Sequence, residues 1–148
     1  MYYVKATEED YVRAYAMMKD ATRDYLDATL ATLDIEENEF ANLFRSVGEV
    51  FVAKQDEVMT GFYWIERRDE VLHIHGIILD EPYRHQGHGR AMMSTIEKTH
   101  AGEVKDIELG VKTNNTPAIN LYKSLGYKVV KTHEAIGFYI MRKRIKQT

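Results

Sequence analysis

The chain has 148 residues, 45% hydrophobic and 29% charged, with a formal net charge of −3. That size and composition suit one folded domain over residues 1–148 and exclude a disordered chain, and the acidic balance argues against general nucleic-acid binding. The absence of cysteine excludes disulfides, thiolate metal sites and a cysteine nucleophile, and no apolar run nears the roughly 18 residues of a membrane span.

The first residues, Met1 to Ala6, show no basic-then-apolar leader, so a cytoplasmic protein with no membrane partner is expected. Tyr2 to Lys5 reads as a short strand. Thr7-Glu8-Glu9-Asp10 then has the form of a capping box, and helical spacing follows through Tyr11, Tyr15 and Met18. A second helical stretch runs over about residues 24–33 and a third over 36–46, before Gly48 breaks the pattern. Residues 8–40 hold ten acids against three bases, a local charge of −7 that leaves +4 for the remainder. Such a region can steer a cation, or it can be an ordinary solvated helix face.

Residues 50–54, 59–66 and 71–79 read as strands joined by the short polar turns Gln55-Asp56-Glu57 and Arg68-Asp69-Glu70, so they should pair as antiparallel hairpins. A polar loop leads into a helix over about residues 87–100, with Met92, Met93 and Ile96 as its core stripe. Residues 107–111 form another strand. Thr116 reads as the next N-cap, with Pro117 at the first helical position and Gly126 as the stop. Strands over 127–131 and 138–144 close the chain. Condensed, the order is β-α-α-β-β-β-α-β-α-β-β: an α/β (α+β) fold with a mixed, mostly antiparallel sheet of six to seven strands. The strand-helix-strand passage over residues 71–111 requires one parallel pair.

The loop Arg84-His85-Gln86-Gly87-His88-Gly89-Arg90 follows a strand and opens a helix. Small residues there let backbone N–H groups approach an anion, and the helix N-terminus adds roughly half a positive charge. A Rossmann fingerprint would need a third glycine where Met92 stands, and the Gly-Lys-Ser/Thr of a P-loop is absent. A plain glycine-rich turn is the bland alternative.

Arg-x-x-Gly-x-Gly at residues 84–89 resembles the acetyl-CoA signature of the GCN5-related N-acetyltransferase (GNAT) superfamily. Asn115-Thr116-Pro117-Ala118-Ile119-Asn120-Leu121-Tyr122, followed by Leu125-Gly126-Tyr127, resembles that family's later motif. The two motifs stand in the family's order and spacing, and the element order matches its fold. The resemblance implies that the pyrophosphate of acetyl-CoA rests on the amides of Gln86, Gly87, His88 and Gly89, with Arg84, His85 and Arg90 beside them. It implies that the pantetheine arm pairs with the strand edge at Ile77, Ile78 and Leu79, where an N–H polarises the thioester carbonyl, and that Asn115 holds the arm. It implies Tyr122 as the acid that protonates the departing thiolate. The acceptor would be a primary amine, roofed by residues 7–46. Their acidity favours a cationic one, such as a small amine, polyamine, aminoglycoside, lysine or protein N-terminus.

A base must also take the proton of the attacking ammonium. His73 and His75 share one face of a strand, and histidine as a residue type suits a base near the operating pH. The stretch resembles the His-x-His strand of arylalkylamine N-acetyltransferases, which helps conduct the proton. Glu66, Glu70 and Glu108 are other acceptors, and cross-strand packing is the alternative for the histidines. His73, His75, His85 and His88 fall within sixteen residues, but they divide between a strand and a phosphate loop, so no metal is expected. Two competing readings are an acyl-CoA-binding sensor without turnover and a nucleic-acid adaptor using Arg142-Lys143-Arg144-Ile145-Lys146. A homodimer is left open.

Overall fold

A computed structural model describes residues 1–145. Its strands are β1 (Tyr2–Lys5), β2 (Glu49–Gln55), β3 (Val58–Arg68), β4 (Val71–Leu79), β5 (Asp106–Lys112), β6 (Lys128–His133) and β7 (Phe138–Arg144). Its helices are α1 (Glu8–Ala21), α2 (Leu26–Thr32), α3 (Glu37–Ser46), α4 (His88–His100) and α5 (Thr116–Ser124). Three helices separate β1 from β2, as the spacing predicts, one more than the condensed order writes.

The strands form one sheet in the order β1-β2-β3-β4-β5-β7-β6. Every neighbouring pair is antiparallel except β4 with β5, the parallel pair demanded by the α4 crossover. The β2–β3 turn is tight because Asp56 and Glu57 both adopt positive φ, the geometry of a two-residue hairpin loop.

Local signals decide the helix starts. Thr7 and Asp10 form the expected capping box on α1: the Asp10 N–H donates to Thr7 Oγ1 and the Thr7 N–H to Asp10 Oδ2. Glu36 and Glu39 do the same for α3. The start of α5 differs from expectation. Its N-cap is Asn115, not Thr116, because the Asn115 Oδ1 reaches the Ala118 N–H at 3.3 Å while Thr116 is already helical.

The sheet buries both faces. One packs Leu72, Ile107, Leu109 and Met141 against α4 and α5 through Met92, Met93, Ile96 and Ile119. The other packs Val50, Val52, Phe62 and Trp64 against α1 and α3 through Ala14, Met17, Met18 and Phe44. Phe44 meets Phe62 and Trp64 edge-on, with centroids 5.6 and 5.1 Å away. No helix among the described residues is long and apolar enough to cross a membrane.

Candidate active site

The parallel pair stops short. Residues 71–74 of β4 pair with 106–109 of β5, and no further. Beyond that point β5 continues with β7 alone and β4 with β3 alone. The strands diverge, and Ile77, Ile78 and Leu79 show an unpaired backbone edge to the gap. A bulge marks the divergence: Trp64 faces Gly76 and Ile65 faces Ile74, so His75 is the extra residue. It shifts the side-chain parity, so Leu72 and Ile74 before it and Ile77 and Leu79 after it all serve the α4–α5 core.

The loop after β4 is a backbone cradle. His85 (φ 62°) and Gly87 (φ 85°) are left-handed, and a Cβ at Gly87 would meet nothing within 4 Å. The N–H groups of Gln86, Gly87, His88, Gly89 and Arg90 donate to no group among the described residues. Five free donors at the start of a thirteen-residue helix suit a phosphate. The side chains here brace the protein. Arg84 Nε donates to the Leu79 carbonyl at 2.9 Å, Gln86 Nε2 to the Pro82 carbonyl at 2.7 Å, and Arg90 to Ser124 Oγ at 2.8 Å. Arg84 therefore ties the loop to the end of β4.

Tyr122 on α5 packs against the α4 side of the core, with its ring 6.2 Å from that of Tyr127. Its hydroxyl makes no hydrogen bond among the described residues. Burial first, then the nearby Tyr25 hydroxyl, pushes its pKa up to about 12. The phenol therefore stays protonated at any working pH. Asn115 is exposed at the head of the same helix, its Oδ1 committed to the cap.

His73 and His75 stack on one face of β4, ring centroids 6.5 Å apart and planes within 15°. Each meets a carboxylate on a neighbouring strand. His75 Nε2 lies 2.8 Å from Glu66 Oε1, and His73 Nδ1 lies 3.6 Å from Glu108 Oε1. The Arg68 guanidinium, and then His75, hold the Glu66 carboxyl below its ordinary range. Burial lowers His73 below its ordinary 6.5, against the pull of Glu108. His73 is thus neutral near pH 7 and able to accept a proton. Glu70 stands apart at the β3–β4 turn, paired with Lys105. His85 sits in the loop after β4 and His88 opens α4, away from this ladder.

Several acids of residues 8–40 are paired or cap a helix. Glu8 pairs with Arg45, Asp10 with Lys54 and Glu37 with Lys19, while Glu36 and Glu39 cap α3. The basic run is spent likewise: Arg142 binds Asp106 and Glu108, Lys143 binds Glu97, and Arg144 binds Asp106. Lys146 lies outside the described residues.

Sequence reasoning missed a cavity of about 240 Å³ between α2 and the β6–β7 turn, with Tyr25, Thr29, Thr32, Lys112, Ile136 and Gly137 in its wall. Tyr25, whose hydroxyl helps raise the Tyr122 pKa, stands in the cavity wall. The strand parity that puts Lys112 on the same face as Glu108 was the one available signal.

Comparison with known proteins identifies the family and the fold. The model of the Acetyltransferase (GNAT) family matches residues 12–127. A mycothiol acetyltransferase of Brachybacterium faecium is 31% identical over 108 residues, which is 68% of this chain and 32% of that protein. The chain spans about a third of the length of the curated relatives it matches. Among solved structures, Ard1 from Thermoplasma volcanium superposes with a TM-score of 0.78 at 18% identity, covering 99% of this chain and 98% of that one. PaiA N-acetyltransferase from Thermoplasma acidophilum, solved in complex with coenzyme A, superposes with a TM-score of 0.74 at 18% identity, covering 97% and 98%. Both likenesses are of fold.

Proposed function

This chain belongs to the GNAT acetyltransferase family, and from that premise we propose that it transfers the acetyl group of acetyl-CoA to a primary amine by direct attack in a ternary complex. The observation that carries the proposal is the conjunction of unpaired loop amides, an open β4 edge and a free, protonated Tyr122 hydroxyl around one gap in the sheet. The coenzyme A complex of the PaiA structure supports the choice of co-substrate.

Acetyl-CoA supplies a thioester: the amine nitrogen bonds to its carbonyl carbon, the carbon–sulfur bond breaks, and coenzyme A departs as a thiolate. The residues of the chain do the rest. The amides of Gln86, Gly87, His88 and Gly89 hold the pyrophosphate, with Arg84 fixing the loop to β4. The edge at Ile77, Ile78 and Leu79 pairs with the pantetheine amides as an added strand would, and an N–H near Leu79 polarises the thioester carbonyl. Asn115 keeps its amide NH2 for the arm while its oxygen caps α5. Tyr122 donates its proton to the sulfur. Its high pKa would make it a weak donor in water, but the desolvated cleft raises the proton affinity of a thiolate by the same physics. His73, with His75 beside it, takes the proton of the ammonium and passes it along the ladder to Glu66 or Glu108. Without cysteine, no acetyl-enzyme on sulfur can form.

The unspent acids of residues 8–40 favour approach of an ammonium. The reading is tested by thiol release from acetyl-CoA across a panel of amines. Release with at least one amine is expected. Tight binding of acetyl-CoA with no release on any amine would favour the sensor reading instead.

A further inference from the structure

We propose that the cavity between α2 and the β6–β7 turn is a carboxylate subsite, in which Lys112 binds the carboxylate of an acceptor whose amine lies a few bonds away. The proposal deepens the acetyltransferase reading and rests on it.

Lys112 is half-buried and has no carboxylate within ion-pair distance among the described residues. The two other half-buried lysines are both paired, Lys54 with Asp10 and Lys143 with Glu97. A partly desolvated ammonium without a counter-ion is costly unless something else holds it. Here the holders are aromatic faces: Nζ lies 5.1 Å from the Tyr25 ring centroid and 5.6 Å from that of Phe138. Its one hydrogen bond is a long one, 3.4 Å to the Ile136 carbonyl. An ammonium carries three N–H donors, so two remain for a ligand. Gly137 keeps the approach clear: its φ is +68°, and a Cβ there would stand 3.2 Å from Nζ.

The remaining wall agrees in sign. Tyr25, Thr29 and Thr32 contribute hydroxyls, and no carboxylate lines the cavity. Asp24 and Asp27, on the same segment, are not in its wall. A second ammonium, as in a polyamine, would meet Lys112 as a like charge. The acidity of the N-terminal helices therefore does not extend into this cavity. Its volume of about 240 Å³ falls below the ~300–1,000 Å³ of drug-sized sites, which suits a free amino acid or the end of an acidic peptide. Both present the same chemistry, an amine and a carboxylate in one small unit.

The test uses the full chain with acetyl-CoA and three sets of acceptors: free amino acids, their carboxamides, and short peptide amides with an acidic or a neutral second residue. Wild type should prefer the carboxylate-bearing member of a pair by about 10-fold or more in kcat/KM, the worth of a charge-assisted hydrogen bond. Lys112→Met should bring that ratio to about one through a higher KM for the carboxylate-bearing acceptor, and Lys112→Arg should keep the preference. Preference for free amino acids or for acidic peptides then identifies the source. In parallel, calorimetry measures binding of an N-acetyl amino acid and of its amide to the protein saturated with coenzyme A. Equal turnover of acids and carboxamides overturns the subsite and leaves the acetyltransferase reading intact. Absence of turnover on every amine, with acid-selective binding that Lys112→Met abolishes, overturns that reading and upholds the subsite. Binding of the N-acetyl amino acid that is the same in wild type and Lys112→Met overturns the subsite.

Discussion

The two ends of the cleft are built from different materials. The end proposed for the cofactor is backbone: free amides of residues 86–90, a glycine at φ +85° and the unpaired edge of β4. The end proposed for the acceptor is side chain: Tyr25 before α2, Lys112 at the end of β5, and His73 and His75 with carboxylates from two other strands. A backbone site depends on a few residues that permit a conformation, and those residues are adjacent in sequence. A side-chain site depends on register, which brings together residues from about 25 to 137 with only the His73-x-His75 spacing to announce it.

That contrast explains what the sequence disclosed. The loop, the later motif around Tyr122 and the Thr7 cap are local, and each stands where its pattern placed it. The cap of α5 reads one residue late, at Thr116 in place of Asn115, because asparagine and threonine both cap well and only the backbone decides between them. The pairing of His75 with Glu66 and of His73 with Glu108 depends on a bulge and on a parallel register that no spacing encodes. The local charge of −7 is a sum and does not show which acids are paired: Arg45 and Lys54, outside the segment, reach Glu8 and Asp10, and Lys19 on α1 reaches Glu37 on α3. Lys112 escaped notice because a single lysine ending a strand looks like any solvated strand end.

Substitutions can break or sharpen the contrast. The largest effect is expected at Phe44, the hinge of the aromatic cluster under the acceptor face, which is 1% exposed. Phe44→Ala should cost about 3–5 kcal/mol, enough to lower the melting temperature by roughly 10 °C. A smaller loss would mean that the acceptor face is less dependent on side-chain packing than described. At the cofactor end, Gly87→Val forces a β-branched residue into a left-handed conformation. It should weaken acetyl-CoA binding by about 10-fold in a titration, whereas Arg90→Ala, whose guanidinium is held by Ser124, should change it far less. The reverse ranking would make the cradle a side-chain site after all. The smallest effect is on pH dependence. Because burial holds His73 below 6.5, the base is lost only as pH falls beneath that value. The acid limb of kcat/KM should therefore lie below pH 6.5 in wild type. It should move in His73→Ala, and it should move less in His75→Ala. Superimposable profiles for all three proteins would place the base elsewhere.

In the proposed mechanism Tyr122 joins the two ends, and its hydroxyl carries the central claim. The most direct measurement is the rate of thiol release at saturating acetyl-CoA and amine for Tyr122→Phe beside wild type, with acetyl-CoA affinity measured on the same two proteins. Loss of the phenol should lower kcat at least about tenfold and leave the affinity nearly unchanged. Equal turnover in the two proteins would contradict the account.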